Sequence, residues 1–240
     1  LIYLKRKWEL KDILPKYKWI NYSEPEVHLG NQKKIIQRFI KNSLKKKLLC
    51  LSYKDISLAK KLKKNLKFDV IGKKKNFYSG VETCQSLILK KRFIKEKKKY
   101  DVILCRHILE HVFNIKEFFN SLNKKSNDEC IFFFEVPDCE KLLKNNDYTM
   151  LWEDHLAYFT QSTFVQILKE NNMKILNYKK IKQPFEDILC AVVKKTDKKH
   201  LEKISNNEIK IKKKLAINFK KNFNLIKKKI DYFFKVNKNK

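Results

Sequence analysis

The chain has 240 residues, of which 43% are hydrophobic, and this is enough for one main domain with a buried core. Its formal net charge is +31, yet almost all basic residues are lysine and only four are arginine. Phosphate and base recognition commonly uses the planar guanidinium group. The composition therefore favours a solvated basic surface over a dedicated nucleic-acid role, which stays an alternative.

Cysteine usage and hydropathy indicate the cellular compartment in which the protein works. The six cysteines are scattered and lie mostly in apolar runs, where a reduced cysteine behaves as a small hydrophobic residue. No stretch has the length of a membrane span, and charges interrupt the N-terminal segment where a signal peptide needs an apolar core. These features predict a cytoplasmic protein without a membrane span.

Strands and helices alternate through the first half of the chain. Ile35, Ile36, Phe39, Ile40 and Leu44 recur at helical spacing after "YSEPEVHLG". Short apolar runs predict strands in "KKLLCLS", "KFDVIG" and "KYDVILC". Helices are predicted in "ISLAKKLKKNL" and in "SGVETCQSLILKKRFI", which Ser79 caps.

The second half continues the alternation. One short and one longer helical piece follow in "HILEHVFNIKEFFNSLNKK", and "ECIFFFEVP" predicts a buried strand that ends at Pro137. "TQSTFVQILKENN" predicts a capped helix, and "MKILNYKKI" and "DILCAVVKK" predict a closing pair of strands. This order predicts an α/β fold with a mostly parallel sheet and helices on both faces.

The character of the chain changes near His200. Apolar residues then recur every three or four positions in a lysine-rich background, which predicts a long basic amphipathic helix; they are Ile211, Leu215, Phe219, Phe223, Ile226, Ile230 and Phe234. Packing on the core or on a neighbouring domain is favoured for this face, and binding to a membrane surface is the alternative. The predicted organisation is a lead-in segment (1–27), a main domain (28–197) and a C-terminal helix (198–240).

The stretch "CRHILEHVFN" contains an H-x-x-E-H pattern formed by His107, Glu110 and His111, which is the signature of inverted zinc proteases. A zinc helix needs both histidines on one face and a third ligand from a later helix. Here the pattern directly follows the strand "YDVILC", at the carboxyl end where open α/β sheets bind ligands. We therefore predict a ligand-binding turn and no metal. A helix N-terminus at which the histidine and glutamate side chains cap and pair is the structural alternative.

The segment "YDVILCRHILEHVFNIKEFFNSL...ECIFFFEVPD" resembles class I S-adenosylmethionine-dependent methyltransferases. "WINYSEPEVHLG" and "DYTMLWEDHLAYFTQSTF" are similar to the subfamily that includes deoxysugar C-methyltransferases. The resemblance covers about residues 19–194 and implies a Rossmann-like, doubly wound sheet with S-adenosyl-L-methionine as cofactor. The chain has no C-x-x-C, so it lacks the N-terminal zinc module of many relatives. We also expect the complete C-terminal domain of those relatives to be missing, in a trimmed, fragmentary or naturally minimal version.

The resemblance also implies a cofactor site. The first loop of such enzymes is usually rich in glycine, whereas this chain has "CLSYKDISL". The residues expected to contact the cofactor are Ser52, Tyr53, Lys54 and Asp55 in this loop, Glu82 in place of the usual acidic residue after the second strand, and Arg106, His107, Glu110 and His111. For Glu82, an exposed carboxylate near a helix N-terminus is the alternative.

The expected chemistry centres on "LWEDHLAYF". Methylation of carbon requires a base that removes a proton next to a carbonyl while the methyl group is held in line. A histidine suits this task because its ordinary pKa is near neutrality. By resemblance, His155 is the proposed base, with Asp154 as its acidic neighbour and Trp152 in place of a tyrosine. A buried, hydrogen-bonded histidine is the structural alternative for His155.

These features predict a methyltransferase that acts on a small or nucleotide-linked sugar-type acceptor, whose anionic group the basic surface attracts. Two alternatives come from other classes. One is a noncatalytic module that keeps the fold and has lost cofactor binding through its glycine-poor loop. The other is a lysine-rich protein that binds or modifies RNA.

Overall fold

A computed structural model describes most of the chain. The described residues are 2–3, 24–40, 46–62, 67–74, 77–78, 80–149, 151, 155–183, 186–197 and 204–237. Ten strands and eight α-helices lie within these ranges. The strands are β1 (Ile2–Tyr3), β2 (Lys47–Cys50), β3 (Lys67–Val70), β4 (Lys73–Lys74), β5 (Phe77–Tyr78), β6 (Tyr100–Arg106), β7 (Ser126–Asp138), β8 (Ala157–Tyr158), β9 (Met173–Ile181) and β10 (Asp187–Lys195). The helices are α1 (Glu26–Gln37), α2 (Ile56–Leu62), α3 (Val81–Ile88), α4 (Lys91–Lys95), α5 (Ile115–Lys125), α6 (Cys139–Asn145), α7 (Gln161–Glu170) and α8 (Asn206–Val236).

Six strands form the central sheet in the order β3-β2-β6-β7-β10-β9. The pairs β3/β2, β2/β6 and β6/β7 are parallel, whereas β10 runs antiparallel to both β7 and β9. β10 is thus the one reversed strand of this sheet. The sheet confirms the predicted α/β class, and its direction brings the carboxyl ends of β2, β6 and β7 to one edge.

Helices cover both faces of the sheet. On one face, α1 and α2 bury Leu29, Ile36 and Leu58 against β2, β6 and β7. On the other face, α3, α5 and α7 pack their apolar sides, including Phe118 and Phe164, against the alternate residues of the same strands. Burial on both faces explains why the strands read as continuous apolar runs.

The boundaries of the first helices differ from the prediction. The first helix begins at Glu26 and ends at Gln37, so Phe39 and Ile40 lie beyond it. The single helix predicted in "SGVETCQSLILKKRFI" is two helices, α3 and α4, and the residue that caps α3 is Gly80. The predicted cap Ser79 lies outside the described residues.

Pro137 does not end its strand, because β7 continues to Asp138. Pro137 is paired in register with Ile188 of β10. Proline, which lacks a backbone N–H, occupies the next-to-last position of this strand.

The C-terminal helix α8 contacts the rest of the protein mainly through its first half. Leu215 and Phe219 pack on α6, and the hydroxyl of Tyr148 donates a hydrogen bond to the carbonyl of Phe219 at 2.5 Å. Phe233 and Phe234, near its end, are about two-thirds exposed, at 60% and 66%. Among the described helices, none is long and apolar enough to cross a membrane.

Candidate functional site

The loop after β2 is a short turn stabilised by its own side chains. The Ser52 side chain accepts a hydrogen bond from the backbone N–H of Lys54 at 3.2 Å, and the Ser52 N–H donates to Oδ2 of Asp55 at 3.1 Å. This capping box starts a 3-10 turn at Tyr53 that leads directly into α2. Side-chain hydrogen bonds therefore hold a tight turn here without glycine.

Asp55 is a fully buried carboxylate with capacity to accept another hydrogen bond. Its Oδ1 atom is buried and has no hydrogen-bond partner within the described residues. Burial raises the pKa of Asp55 to about 7, against the opposing effects of Arg106 and of the Ser52 N–H. A buried acceptor without a partner fits a ligand that donates a hydrogen bond at this loop.

A buried charge cluster lies beside this loop, at the ends of β6 and β7. Arg106 and Glu135 are adjacent in the sheet register, and Nη2 of Arg106 donates to Oε1 of Glu135 at 3.1 Å. Nη2 also contacts the carboxylate of Glu24, which precedes α1. From α1, His28 Nε2 lies 3.4 Å from Glu135 Oε2, and Gln32 donates to the same oxygen. We call these five residues the Glu135 cluster.

Arg106 has no exposed surface, and it links the cluster to the loop after β2. Its Nη1 donates to the backbone carbonyl of Lys54 at 3.1 Å. Although burial opposes ionisation, Arg106 and His107 hold the pKa of Glu135 well below its ordinary value. The Arg106 guanidinium therefore holds the loop after β2 in place through the Lys54 carbonyl.

The turn after β6 carries the H-x-x-E-H residues. His107 has a φ of 50°, in the left-handed region that non-glycine residues rarely adopt. Its N–H donates to the carbonyl of Glu135 at 3.0 Å, and its ring contacts two carboxylates, with Nε2 3.0 Å from Glu135 Oε1 and Nδ1 3.5 Å from Glu110 Oε1. Against the effect of burial, these carboxylates raise the pKa of His107 to about 9. Strain at this turn is thus balanced by ionic contacts.

Glu110 and His111 lie in a 3-10 turn and face His155. His111 Nε2 is 4.0 Å from Glu110 Oε1, and the rings of His111 and His155 meet edge to face with centroids 4.7 Å apart. Although burial opposes ionisation, His107 and His111 lower the pKa of Glu110 to about 2. The turn therefore presents an ionised carboxylate next to two imidazole rings.

A small cavity opens beside this group at the carboxyl end of β7. Glu110, His155, Glu186 and Tyr158 supply its polar walls, and the remaining lining residues are Pro137, Cys139, Leu142, Ala157 and Phe159. Burial raises the pKa of Glu186, and the charge of Glu110 adds to this effect. The cavity thus combines apolar walls with two carboxylates and an imidazole.

Two groups of side chains have spacings that a divalent cation could use. The ligand atoms of Glu110, His111 and His155 all lie within 4.8 Å of one another, and the same holds for Glu24, His28 and Glu135. In the second group, Arg106 already neutralises the two carboxylates. The absence of a metal stays a prediction.

The structure brings most of the predicted site residues to one edge of the sheet. The predicted loop residues 52–55 follow β2. Arg106 is the last residue of β6, and His107, Glu110 and His111 follow it. His155 reaches the same edge through its contact with His111. Glu82 lies in α3, but its side chain lies outside the described part of the chain, as do the predicted Trp152 and Asp154.

Sequence reasoning missed five residues of this region. Glu24, His28 and Gln32 recur every four residues, which is the spacing of one helix face and was the available signal. Glu135 is a single charge inside the apolar strand "IFFFEVP", a position that buried strands rarely give to glutamate. Glu186 has no neighbouring motif that would identify it.

Comparison with known proteins identifies the family. The family model described as a methyltransferase domain matches residues 55–178, which is just over half of the chain. The C-methyltransferase NovU of Streptomyces niveus is 25% identical over 76 residues, which is 32% of this chain and 18% of that protein. The aligned part thus spans about a fifth of that relative.

Two solved structures show similar chain courses. The N-methyltransferase NodS from Bradyrhizobium japonicum WM9 has 12% identity and a TM-score of 0.48, with 72% of this chain and 98% of that chain covered. A 1,6-didemethyltoxoflavin-N1-methyltransferase from Burkholderia thailandensis has 9% identity and a TM-score of 0.49, with 72% and 80% covered. From the match over residues 55–178, the chain belongs to the methyltransferase domain family, and its cofactor is S-adenosyl-L-methionine.

Proposed function

We propose that this protein transfers a methyl group from S-adenosyl-L-methionine to a small or nucleotide-linked, sugar-type acceptor, with His155 as general base. The observation that carries the proposal is the position of His155. It lines a cavity at the carboxyl end of the sheet, and its ring contacts His111 in the turn after β6. In open α/β sheets, ligands bind at this edge.

The loop after β2 supplies groups that fit the amino-acid end of the cofactor. The buried, unpartnered Oδ1 of Asp55 fits an ammonium group, and Ser52, Tyr53 and Lys54 form the turn around it. We assign Glu82 to the ribose, and His107, Glu110 and His111 to the side of the site that faces the acceptor. Arg106 acts as a positioning residue through the Lys54 carbonyl. When bound, the cofactor supplies a methyl group on a positively charged sulfur.

His155 takes the proton that the acceptor loses. A histidine does this well near neutral pH because its ordinary pKa lies close to the operating pH. Glu110, at the centre of the group formed by His107, His111 and His155, stabilises the imidazolium that forms. The predicted neighbours Asp154 and Trp152 belong to the same proposal, as the acidic neighbour of the base and as an aromatic wall of the acceptor site.

The test is the substitution His155→Ala. We expect turnover to fall by about 10²- to 10⁴-fold, the usual contribution of a general base, while the affinity for S-adenosylhomocysteine stays within about twofold. Gln161→Ala, at an exposed position on α7, is the control and should leave both quantities unchanged. Retained turnover in His155→Ala would show that another group is the base.

Calorimetry with S-adenosylhomocysteine separates the enzyme from a noncatalytic module of the same fold. We expect binding heat at micromolar to submillimolar ligand, and Asp55→Asn should weaken binding because an amide is a poorer partner for an ammonium group than a carboxylate. If millimolar ligand gives no heat with the wild-type protein, the enzyme proposal fails and the noncatalytic module replaces it.

One observation favours a second candidate function, RNA binding. An open cleft lies at the amino end of the parallel strands, opposite the candidate site. Four lysines line it: Lys47, Lys97, Lys98 and Lys99. If these lysines bind RNA phosphates, affinity should fall steeply with salt concentration. Filter binding with a 20-nucleotide single-stranded RNA between 50 and 200 mM NaCl tests this, and no binding at 150 mM NaCl would exclude it.

A further inference from the structure

The cavity beside His155 has an unusual balance of hydrogen-bonding groups. Both oxygens of Glu110 and Oε2 of Glu186 are buried and have no hydrogen-bond partner within the described residues. These three carboxylate oxygens can therefore accept further hydrogen bonds, in addition to the ionic contact between Glu110 and His107. A buried acceptor without a partner is costly, so the arrangement favours a ligand that brings N–H or O–H groups.

The charges of the cavity narrow the choice of ligand. Glu110 is 1% exposed, and its nearest cationic group is His107, with Nδ1 at 3.5 Å. Glu186 forms no ion pair with any described residue, and the positive charges that act on it come from His107 and Lys54. Since the two carboxylates also repel each other, a positively charged ligand would relieve both effects.

The same lining argues against an anionic ligand inside the cavity. Among the described residues that line it there is no lysine or arginine, although the chain carries 57 of them. A phosphate or diphosphate group would face two carboxylates without a cation. Pro137, Leu142 and Phe159 provide apolar walls around this small space.

We propose that the cavity binds the amine end of the acceptor and that the methyl group goes to that nitrogen. This inference rests on the proposed function and specifies its acceptor. Glu186 and Glu110 bind the ammonium form, and His155 then takes one proton to free the nitrogen lone pair. Transfer forms the N–C bond as the S–C bond breaks, the sulfur keeps the bonding electron pair, and the positive charge passes to the methylated nitrogen.

Matched amine and alcohol ligands test the binding step without turnover. In calorimetry on the full chain with saturating S-adenosylhomocysteine, cyclohexylamine should bind at least about tenfold more tightly than cyclohexanol, as a charge-assisted hydrogen bond predicts. Glu186→Gln should remove most of this preference and leave the affinity for cyclohexanol unchanged. Glu129→Gln, whose side chain is 88% exposed, is the control and should keep the wild-type preference.

Matched sugars test the transfer step. With D-glucosamine and D-glucose as acceptors, release of S-adenosylhomocysteine should occur with the amine and be at least tenfold slower with the alcohol. Equal binding of cyclohexylamine and cyclohexanol, or an amine preference that survives in Glu186→Gln, would overturn the inference. Missing heat with S-adenosylhomocysteine would instead overturn the proposed function, so the two failures are distinguishable.

A metal ion is the competing occupant of these carboxylates. We expect titration of the wild-type protein with Zn²⁺ or Mg²⁺, without amine, to give no saturable binding heat that depends on Glu186. The variant Glu186→Gln is the comparison. If such heat appears and the bound ion excludes cyclohexylamine, the cavity is a metal site and the amine proposal is wrong.

Discussion

Two groups of buried charge lie at the carboxyl end of the sheet, and they differ in how their carboxylates are neutralised. In the Glu135 cluster, both carboxylates contact the guanidinium of Arg106, and Glu135 also contacts His107 Nε2 at 3.0 Å. In the cavity, Glu110 and Glu186 leave three oxygens without hydrogen bonds. Glu24 Oε2 and Gln32 Oε1 in the Glu135 cluster also have no hydrogen-bond partner within the described residues, so the two groups differ in their cations. A buried arginine neutralises the first, closed group, whereas no lysine or arginine is among the described residues that line the second, open group.

The largest expected effect comes from breaking the closed group. Arg106→Met would leave Glu24 and Glu135 buried without their shared cation, so we expect the free energy of unfolding to fall by about 3–5 kcal/mol. Urea denaturation followed by circular dichroism measures this. Arg92→Met, at an exposed position in α4, is the control and should change stability by less than about 0.5 kcal/mol. Similar results for the two variants would show that the Glu135 cluster does not support the fold.

A smaller effect is expected from Asp55, which lies in the loop after β2 and interacts with the charge of Arg106. Its pKa is raised from 3.8 to about 7, so the folded protein holds a proton that the unfolded chain releases between these values. Stability should therefore fall as pH rises from about 4 to 7, by an amount on the order of 2–4 kcal/mol, and this contribution should level off above pH 7. Arg106, Glu135 and Glu24 are the charged groups that act on this carboxyl.

The variant Asp55→Asn isolates this contribution. It cannot titrate, yet it keeps an oxygen that accepts from the Ser52 N–H. The difference in unfolding free energy between pH 5 and pH 7.5 should be smaller in Asp55→Asn than in the wild type. Asp128→Asn, at a fully exposed side chain, should behave as the wild type. An unchanged difference in Asp55→Asn would assign the pH dependence to other groups.

The smallest effect is expected at the open group. Glu186→Gln removes a carboxylate that forms no ion pair within the described residues and that Glu110 repels. We expect its melting temperature to stay equal to or above that of the wild type, with a change in stability of less than about 1 kcal/mol. A loss of stability as large as that of Arg106→Met would mean that Glu186 stabilises the fold and is not reserved for ligand binding.

The sequence predicted the framework of the fold because that information is local. Apolar runs such as "YDVILC" and "IFFFEVP" mark strands buried on both faces, and both occur where expected. Boundaries were less predictable. Apolar periodicity ran past the end of α1 at Gln37, and Pro137 remained inside β7 because its pairing with β10 depends on tertiary structure.

The sequence also predicted part of the candidate site, namely the part that depends on local information. The turn from His107 to His111 follows a recognisable strand, so its place at the sheet edge could be read from the chain. The Glu135 cluster could not, because Glu135 meets Arg106 across 29 residues and Gln32 across 103. Contacts of this kind leave no spacing pattern. The roles of the predicted site residues, and the division into 1–27, 28–197 and 198–240, stay predictions.

The position of β10 also determines when the protein can complete its sheet during synthesis. β7 lies midway along the sequence and pairs with β6 on one side and β10 on the other. β10 is made much later and ends at Lys195. Until β10 has left the ribosome, β7 exposes an unpaired edge flanked by Phe132 and Phe134. Such edges pair readily with other chains. We therefore expect nascent chains that end before residue 187 to aggregate, and chaperone binding to be strongest in that interval of translation.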